Sequence, residues 1–245
     1  MSQSLAKDFN FRSLLKFAFP SIIMMIFMSL YSIVDGFFIA QYVDSMALSA
    51  ANIVYPAVSI LLAVGIMFGT GGSAVVAAKI GQGKLEEANR NFSALTLTTL
   101  IIGILGAVLG NLFCRQICSL LGATPVLMDY GTAYLRTILS FAPVCLLQAL
   151  FQSFFVTAGR PGLGLSLTVS AGITNMLLDY LFVVPLHLGV AGAALATGLG
   201  QCIPAVAGIF QRPALHKLLQ RFLRDGQQSF CSRCHLPFQH ADAEI

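Results

Sequence analysis

Long apolar stretches separated by short polar breaks run along most of this chain. Six stretches, near residues 17–40, 52–78, 92–114, 130–157, 163–185 and 188–210, stay predominantly apolar. Each reaches the roughly 20 residues that a helix needs to cross the hydrocarbon core of a bilayer. The breaks carry turn chemistry: AQYVDSMALSAAN, KIGQGKLEEANR, LLGATPVLMDYG, AGRPGLG and, between the last two stretches, only Pro185 to Gly189. Gly and Pro in these positions interrupt helices, and the shortest break predicts a tight antiparallel pair. The pattern predicts an all-α integral membrane protein, a bundle of six transmembrane helices. It divides the chain into an N-terminal segment 1–16, a membrane lobe 17–210 and a basic tail 211–245.

Composition strengthens this reading. Of 245 residues, 57% are hydrophobic and only 10% are charged, and the mean hydropathy is +0.82. A soluble domain carries about a quarter charged residues, so too few are present for a polar shell. The net charge of +4 does not point to nucleic acid, because the basic residues lie between apolar runs and in the tail. With six spans, every Lys and Arg except Arg115 and Arg136 falls on one side. The positive-inside rule makes that side cytoplasmic. Both termini are therefore expected inside a cell (inner) membrane. The run after Lys7, Arg12 and Lys16 is too long for the core of a cleaved signal and reads as an uncleaved first helix.

Small residues crowd GTGGSAVVAA (69–78) and GVAGAALATGLG (189–200). Lipid tails provide no hydrophobic drive between helices, so small residues that let backbones approach serve packing. These glycines form no phosphate loop, since no strand precedes them and Lys84 completes no Walker pattern.

A few polar residues inside the apolar runs carry the candidate chemistry. Asp35 lies in the first span, where a mid-membrane carboxylate costs roughly 2.5–3.5 kcal/mol. A cost of that size is tolerated where the group has a use, and loss of water penalises its charged form. Tyr31, one turn earlier on the same face, is placed to hydrogen-bond it. In the fifth span Asn175 and Asp179 are four residues apart and share a face. An amide beside a carboxylate suits a proton, a sodium ion or a cationic ligand. Gln148 and Gln152 repeat the spacing in the fourth span, as interhelical glue or cavity lining. Asn52, Thr197 and Gln201 read the same way. The spans hold no nucleophile constellation, so an enzyme is not expected, nor a cofactor. Cys114, Cys118, Cys145 and Cys202 read as small apolar residues. The tail spells Cys231-Ser-Arg-Cys234-His, with His240 beyond, a haem- or zinc-like spelling that short sequences produce by chance. A disordered tail without metal is the expectation.

In order and spacing, YSIVDGFFIA, GTGGSAVVAAKIGQGKLEEANR, FQSFFVTAGRPG and NMLLDYLFVVPLHLGVAGAALATGLGQ resemble the N-terminal half of a multidrug and toxic compound extrusion (MATE) transporter. The resemblance covers about residues 10–210. It implies one six-helix lobe of a twelve-helix transporter, with two lobes rocking to give alternating access. It implies export of drugs, organic cations or amphipathic compounds in exchange for protons or sodium ions. Asp35, Asn175 and Asp179 match the family's cation-coupling positions, with Tyr31, Gln148 and Gln152 as supporting or cavity-lining residues. Beyond Phe210 the sequence departs from the family's entry into a seventh helix. Three expectations follow: a second copy pairs with this one, a separate C-terminal lobe completes it, or the chain is a truncated or frameshifted product. The competing reading is a non-transporting membrane fragment or assembly partner.

Overall fold

The computed structural model describes residues 11–158 and 161–210. Among them it forms eight helices and no strand. They are α1 (Phe11–Tyr42), α2 (Ser45–Gly81), α3 (Leu85–Leu112), α4 (Cys114–Leu120), α5 (Pro125–Ser140), α6 (Ala142–Thr157), α7 (Pro161–Val183) and α8 (Gly189–Phe210). Five are long and apolar enough to cross a membrane singly. The fourth expected span is instead two helices, α5 and α6, bent by 56° at their junction, which only together are long and apolar enough for a sixth crossing. The basic tail and its Cys231/Cys234 motif lie outside the described residues.

Local chemistry explains the ends and the break. Asp44 caps α2, its side chain accepting from the Met46 backbone N–H at 3.4 Å, so only Val43 and Asp44 separate α1 from α2. The expected linker AQYVDSMALSAAN is thus mostly helical. Gly83, at φ 75, makes the turn between α2 and α3. Across it Lys79 reaches Glu87 at 2.7 Å and Lys84 lies 3.7 Å from the same carboxylate. The break between α5 and α6 falls where Pro143 occupies the first turn of α6, a position proline tolerates while it cannot continue a preceding helix. The short α4, absent from the sequence expectation, fills the start of the third connection. Exposed His187, at φ 49, and Gly189, at φ 60, turn α7 into α8.

Packing follows the small residues. A methyl group on Gly103 of α3 would lie 2.5 Å from Pro143 Cα, so glycine lets α3 approach the broken span. Gly69 brings α2 against Ser153 and the Ala149 carbonyl of α6. Gly200 of α8 sits against Ala171 and Asn175 of α7, and Gly172 of α7 receives the ring of Phe27 from α1. Two apolar clusters result. One gathers Ile39, Val54, Cys118, Leu135, Ile138, Val183 and Val190. The other gathers Val76, Phe92, Leu150, Phe151, Phe154 and Ala205. Because successive spans alternate in direction, these clusters occupy opposite ends of the bundle, and the buried polar residues fall between them. The outer face of α1 is apolar, with Phe19, Ile22, Met25, Ile26, Leu30, Ile33 and Phe37 exposed, as a lipid-facing stripe requires.

Candidate functional site

The first and fifth spans pack side by side, and their acidic residues meet. Asp35 of α1 and Asp179 of α7 have interacting carboxyl groups. Asp179 is fully buried, at 0% exposure. Neither of its oxygens has a hydrogen-bond partner, and buried Oδ1 of Asp35 has none either. One turn before Asp179, Asn175 is 3% exposed and donates through Nδ2 to Thr197 Oγ1 of α8 at 3.3 Å. Its Oδ1 is left without a donor, as is Oε1 of Gln201.

These atoms share one chemical property. All are acceptor oxygens, and no protein donor reaches them. The sixth such atom among the described residues, Thr99 Oγ1, belongs to α3. Unpaired buried acceptors are costly, and adjacent carboxylates repel while both are bare anions. A proton or a hard cation, which takes oxygen ligands, relieves both penalties. Among the described residues no group of three or more His, Cys, Asp and Glu side chains gathers.

Asp35 of the pair opens on a cavity of about 280 Å³ between α1, α2, α5, α6 and α8, lined also by Tyr31, Asn52, Tyr55, Tyr134, Thr197 and Gln201, while Asp179 lies behind it, fully buried. Ser32, Asn52 and Tyr55 on its wall are exposed, so the cavity is open along α1 and α2. A second cavity of about 80 Å³ lies beside it, with Gln148, Thr168, Asn175 and Pro204 in its lining. Tyr31, Leu62, Thr197 and Gln201 line both.

The sequence-predicted residues therefore divide. Asp35, Asn175 and Asp179 come together. Tyr31 is at the site, but among the described residues no hydrogen bond joins its hydroxyl to Asp35; the ring faces the two cavities instead. Gln148 lines the smaller cavity and donates to Gln152 Oε1 at 3.1 Å. Gln152 is not in the lining of either cavity; its amide is directed at α1, 3.2 Å from Met24 Sδ and 3.7 Å from Met28 Sδ. Tyr134 and Tyr55 escaped the sequence reading. A tyrosine near a span end reads as an interfacial anchor, whereas Tyr134 is buried and lines the larger cavity.

Fold and site together define a multi-pass helical membrane bundle whose interior holds a carboxyl pair beside a cavity. Residues 20–181 match the MatE family model, and the chain belongs to that family. It is 28% identical over 200 residues to the multidrug export protein MepA of Staphylococcus haemolyticus, covering 82% of this chain and 44% of that protein. It is 25% identical over 200 residues to MepA of Staphylococcus saprophyticus, with the same coverage. Among solved structures, the fold is similar to the outward-facing conformation of a multidrug resistance MATE family transporter of the MOP superfamily. The TM-score is 0.75 at 22% identity, over 80% of this chain and 44% of that one. A MOP superfamily transporter from Pyrococcus furiosus is similar to the same degree, with a TM-score of 0.75 at 22% identity over 80% of this chain and 43% of the other. The chain spans less than half the length of these relatives.

Proposed function

We propose that this chain forms one lobe of a secondary multidrug exporter. It exchanges organic cations or amphipathic compounds against protons or sodium ions, in a cell membrane with the Lys- and Arg-rich ends of the spans in the cytoplasm. The observation that carries the proposal is the set of donorless oxygens on Asp35, Asp179, Asn175 and Gln201 beside a cavity. Asp35 and Asp179 hold the coupling cation, and Asn175, fixed by Thr197, orients beside them. Loading and unloading change the repulsion between α1 and α7. A ligand moves a conformational equilibrium only by its differential affinity for two states, and a cation bound between two carboxylates supplies such a difference.

The cavity mouth supports a second six-helix unit. Ser32, Asn52 and Tyr55 would meet hydrocarbon there, where unsatisfied polar groups are costly. A facing lobe would cover them and form the other wall of a drug pathway. That lobe comes from a second copy, a separate chain, or further residues of a longer protein. The exporter reading is tested by gradient-driven efflux of a fluorescent organic cation from proteoliposomes holding the complete two-lobe assembly. Asp35→Asn is expected to reduce efflux to background while the substrate still binds; undiminished efflux would rule out Asp35 as the coupling group.

A further inference from the structure

The smaller cavity shares Asn175, Thr197 and Gln201 with the cation site, and from there Thr168 and the glutamine pair, which the site does not use, continue in one direction. On α1 the order from the carboxyl pair toward the helix N-terminus is Asp35, Tyr31, Met28, Met24. On α7 it is Asp179, Asn175, Thr168, again toward the N-terminus. On α6 and α8, which run the opposite way, the order is Cys145, Gln148, Gln152 and Thr197, Gln201, Pro204. All four helices therefore carry these residues toward the same end of the bundle. That end bears the short, basic connection between α2 and α3, with Lys79, Lys84 and Arg90.

The polar character persists along this line although it crosses the interior. Gln148 is 8% exposed and Thr168 is 5% exposed, and both line the 80 Å³ cavity with Asn175 and Gln201. The donorless Asn175 Oδ1 and Gln201 Oε1 belong to side chains on that wall. The rest of the lining is mostly apolar, but Gln148, Thr168, Asn175, Thr197 and Gln201 offer a guest several polar partners, the condition under which buried water is held, whereas a wholly apolar cavity stays dry. At its far end Gln148 hands on to Gln152, and the Gln152 amide meets the thioethers of Met24 and Met28. Thioethers are weak acceptors on flexible arms, which makes them a yielding plug.

We infer that the 80 Å³ cavity is a hydrated passage linking the carboxyl pair to the basic end of the bundle, with Gln148 and Thr168 holding its water and Met24 and Met28 closing it. Under the exporter reading, on which the assignment of the passenger rests, this is the route by which the coupling proton or sodium ion leaves toward the cytoplasm. Gln148 and Thr168 are positioning residues for water rather than ligands of the cation.

Two methionines of α1 make the inference testable. Met25 is 68% exposed but on the lipid-facing side, whereas Met28 lines the cavity. The full chain in lipid nanodiscs is pulsed with radiolytic hydroxyl radicals generated from its own bound water, and methionine oxidation is read by mass spectrometry. Met28 is expected to oxidise severalfold faster than Met25. Gln148→Leu, and independently Thr168→Val, are expected to remove that advantage while leaving Met25 unchanged. The same samples stepped from H2O into D2O are expected to show severalfold slower carboxyl exchange in Gln148→Leu, read by the infrared C=O band that Asp179→Asn deletes. Met28 oxidising no faster than Met25 in the unaltered chain, or carboxyl exchange unaffected by Gln148→Leu and Thr168→Val alike, would overturn the passage. Because these readouts need no transport, a failed efflux test of Asp35→Asn and a dry cavity are separate outcomes.

Discussion

At the scale of single residues, the polar groups of the interior differ in what holds them. Asn175 is tied to Thr197 by one hydrogen bond of 3.3 Å, and such bonds between membrane helices average about 0.6 kcal/mol in double-mutant cycles. A cycle of Asn175→Ala and Thr197→Val, followed by equilibrium unfolding in mixed micelles, is expected to return a coupling of about that size. No coupling would mean that the two side chains do not act together. Asp35 and Asp179 stood out in the sequence because a charge inside an apolar run is conspicuous whatever surrounds it. Asn175 was found through its four-residue spacing from Asp179. Tyr134 and Tyr55 carried no such mark, since a tyrosine is as ordinary at a membrane interface as beside a buried carboxylate. Tyr31 illustrates the limit of spacing arguments: sharing a face with Asp35 brought it to the site without bonding it to the carboxylate.

At the scale of helices, hydropathy gave five single spans and the apolar run of a sixth, but not the bend within that run. Ser140 to Pro143 lie within an unbroken apolar run, and a window of hydropathy is blind to backbone direction. Pro143 was the available sign, and its effect is seen only with Gly103 of α3 lodged against it. Gly103→Val is therefore expected to destabilise the bundle by about 1–3 kcal/mol, the usual cost of overpacking. Gly71, where an added methyl group meets nothing within 4 Å, is the control. Gly71→Ala is expected to be neutral or stabilising by up to about 1 kcal/mol through helix propensity. Equal losses for both variants would deny the close contact of α3 with α6. At the turn between α2 and α3, the Glu87 carboxyl is held below its usual range, first by the hydrogen bond from Lys79 and then by the charges of Lys79 and Lys84. A depressed carboxyl stabilises the fold above its unfolded pKa, and that contribution disappears as pH falls through the folded value. Lys79→Ala is thus expected to lower the melting temperature slightly at neutral pH, less so in high salt. The difference from the unaltered chain should vanish in acid below the carboxylate range; a gap that persisted there would have another source.

At the scale of the whole molecule, the sequence resembled a transporter lobe, and family and fold agree with that. Which helices touch was not legible, because the small-residue stripes that bring α7 to α8 and α2 to α6 look alike along the chain. Hydropathy and spacing did not announce that α1 and α7, distant in sequence, would bring their carboxylates together between two apolar clusters; only the family resemblance grouped Asp35 with Asp179. The proposed coupling depends on that meeting, with Asp35 and Asp179 serving as one site for one cation. The most direct measurement is infrared difference spectroscopy of the chain in nanodiscs, stepped in pH and separately in sodium, for the unaltered protein, Asp35→Asn, Asp179→Asn and the double variant. A shared site predicts strong non-additivity: either single substitution should abolish the carboxyl response, with the double variant adding nothing further. Two independent responses, each removed only by its own substitution and summing in the double variant, would contradict it.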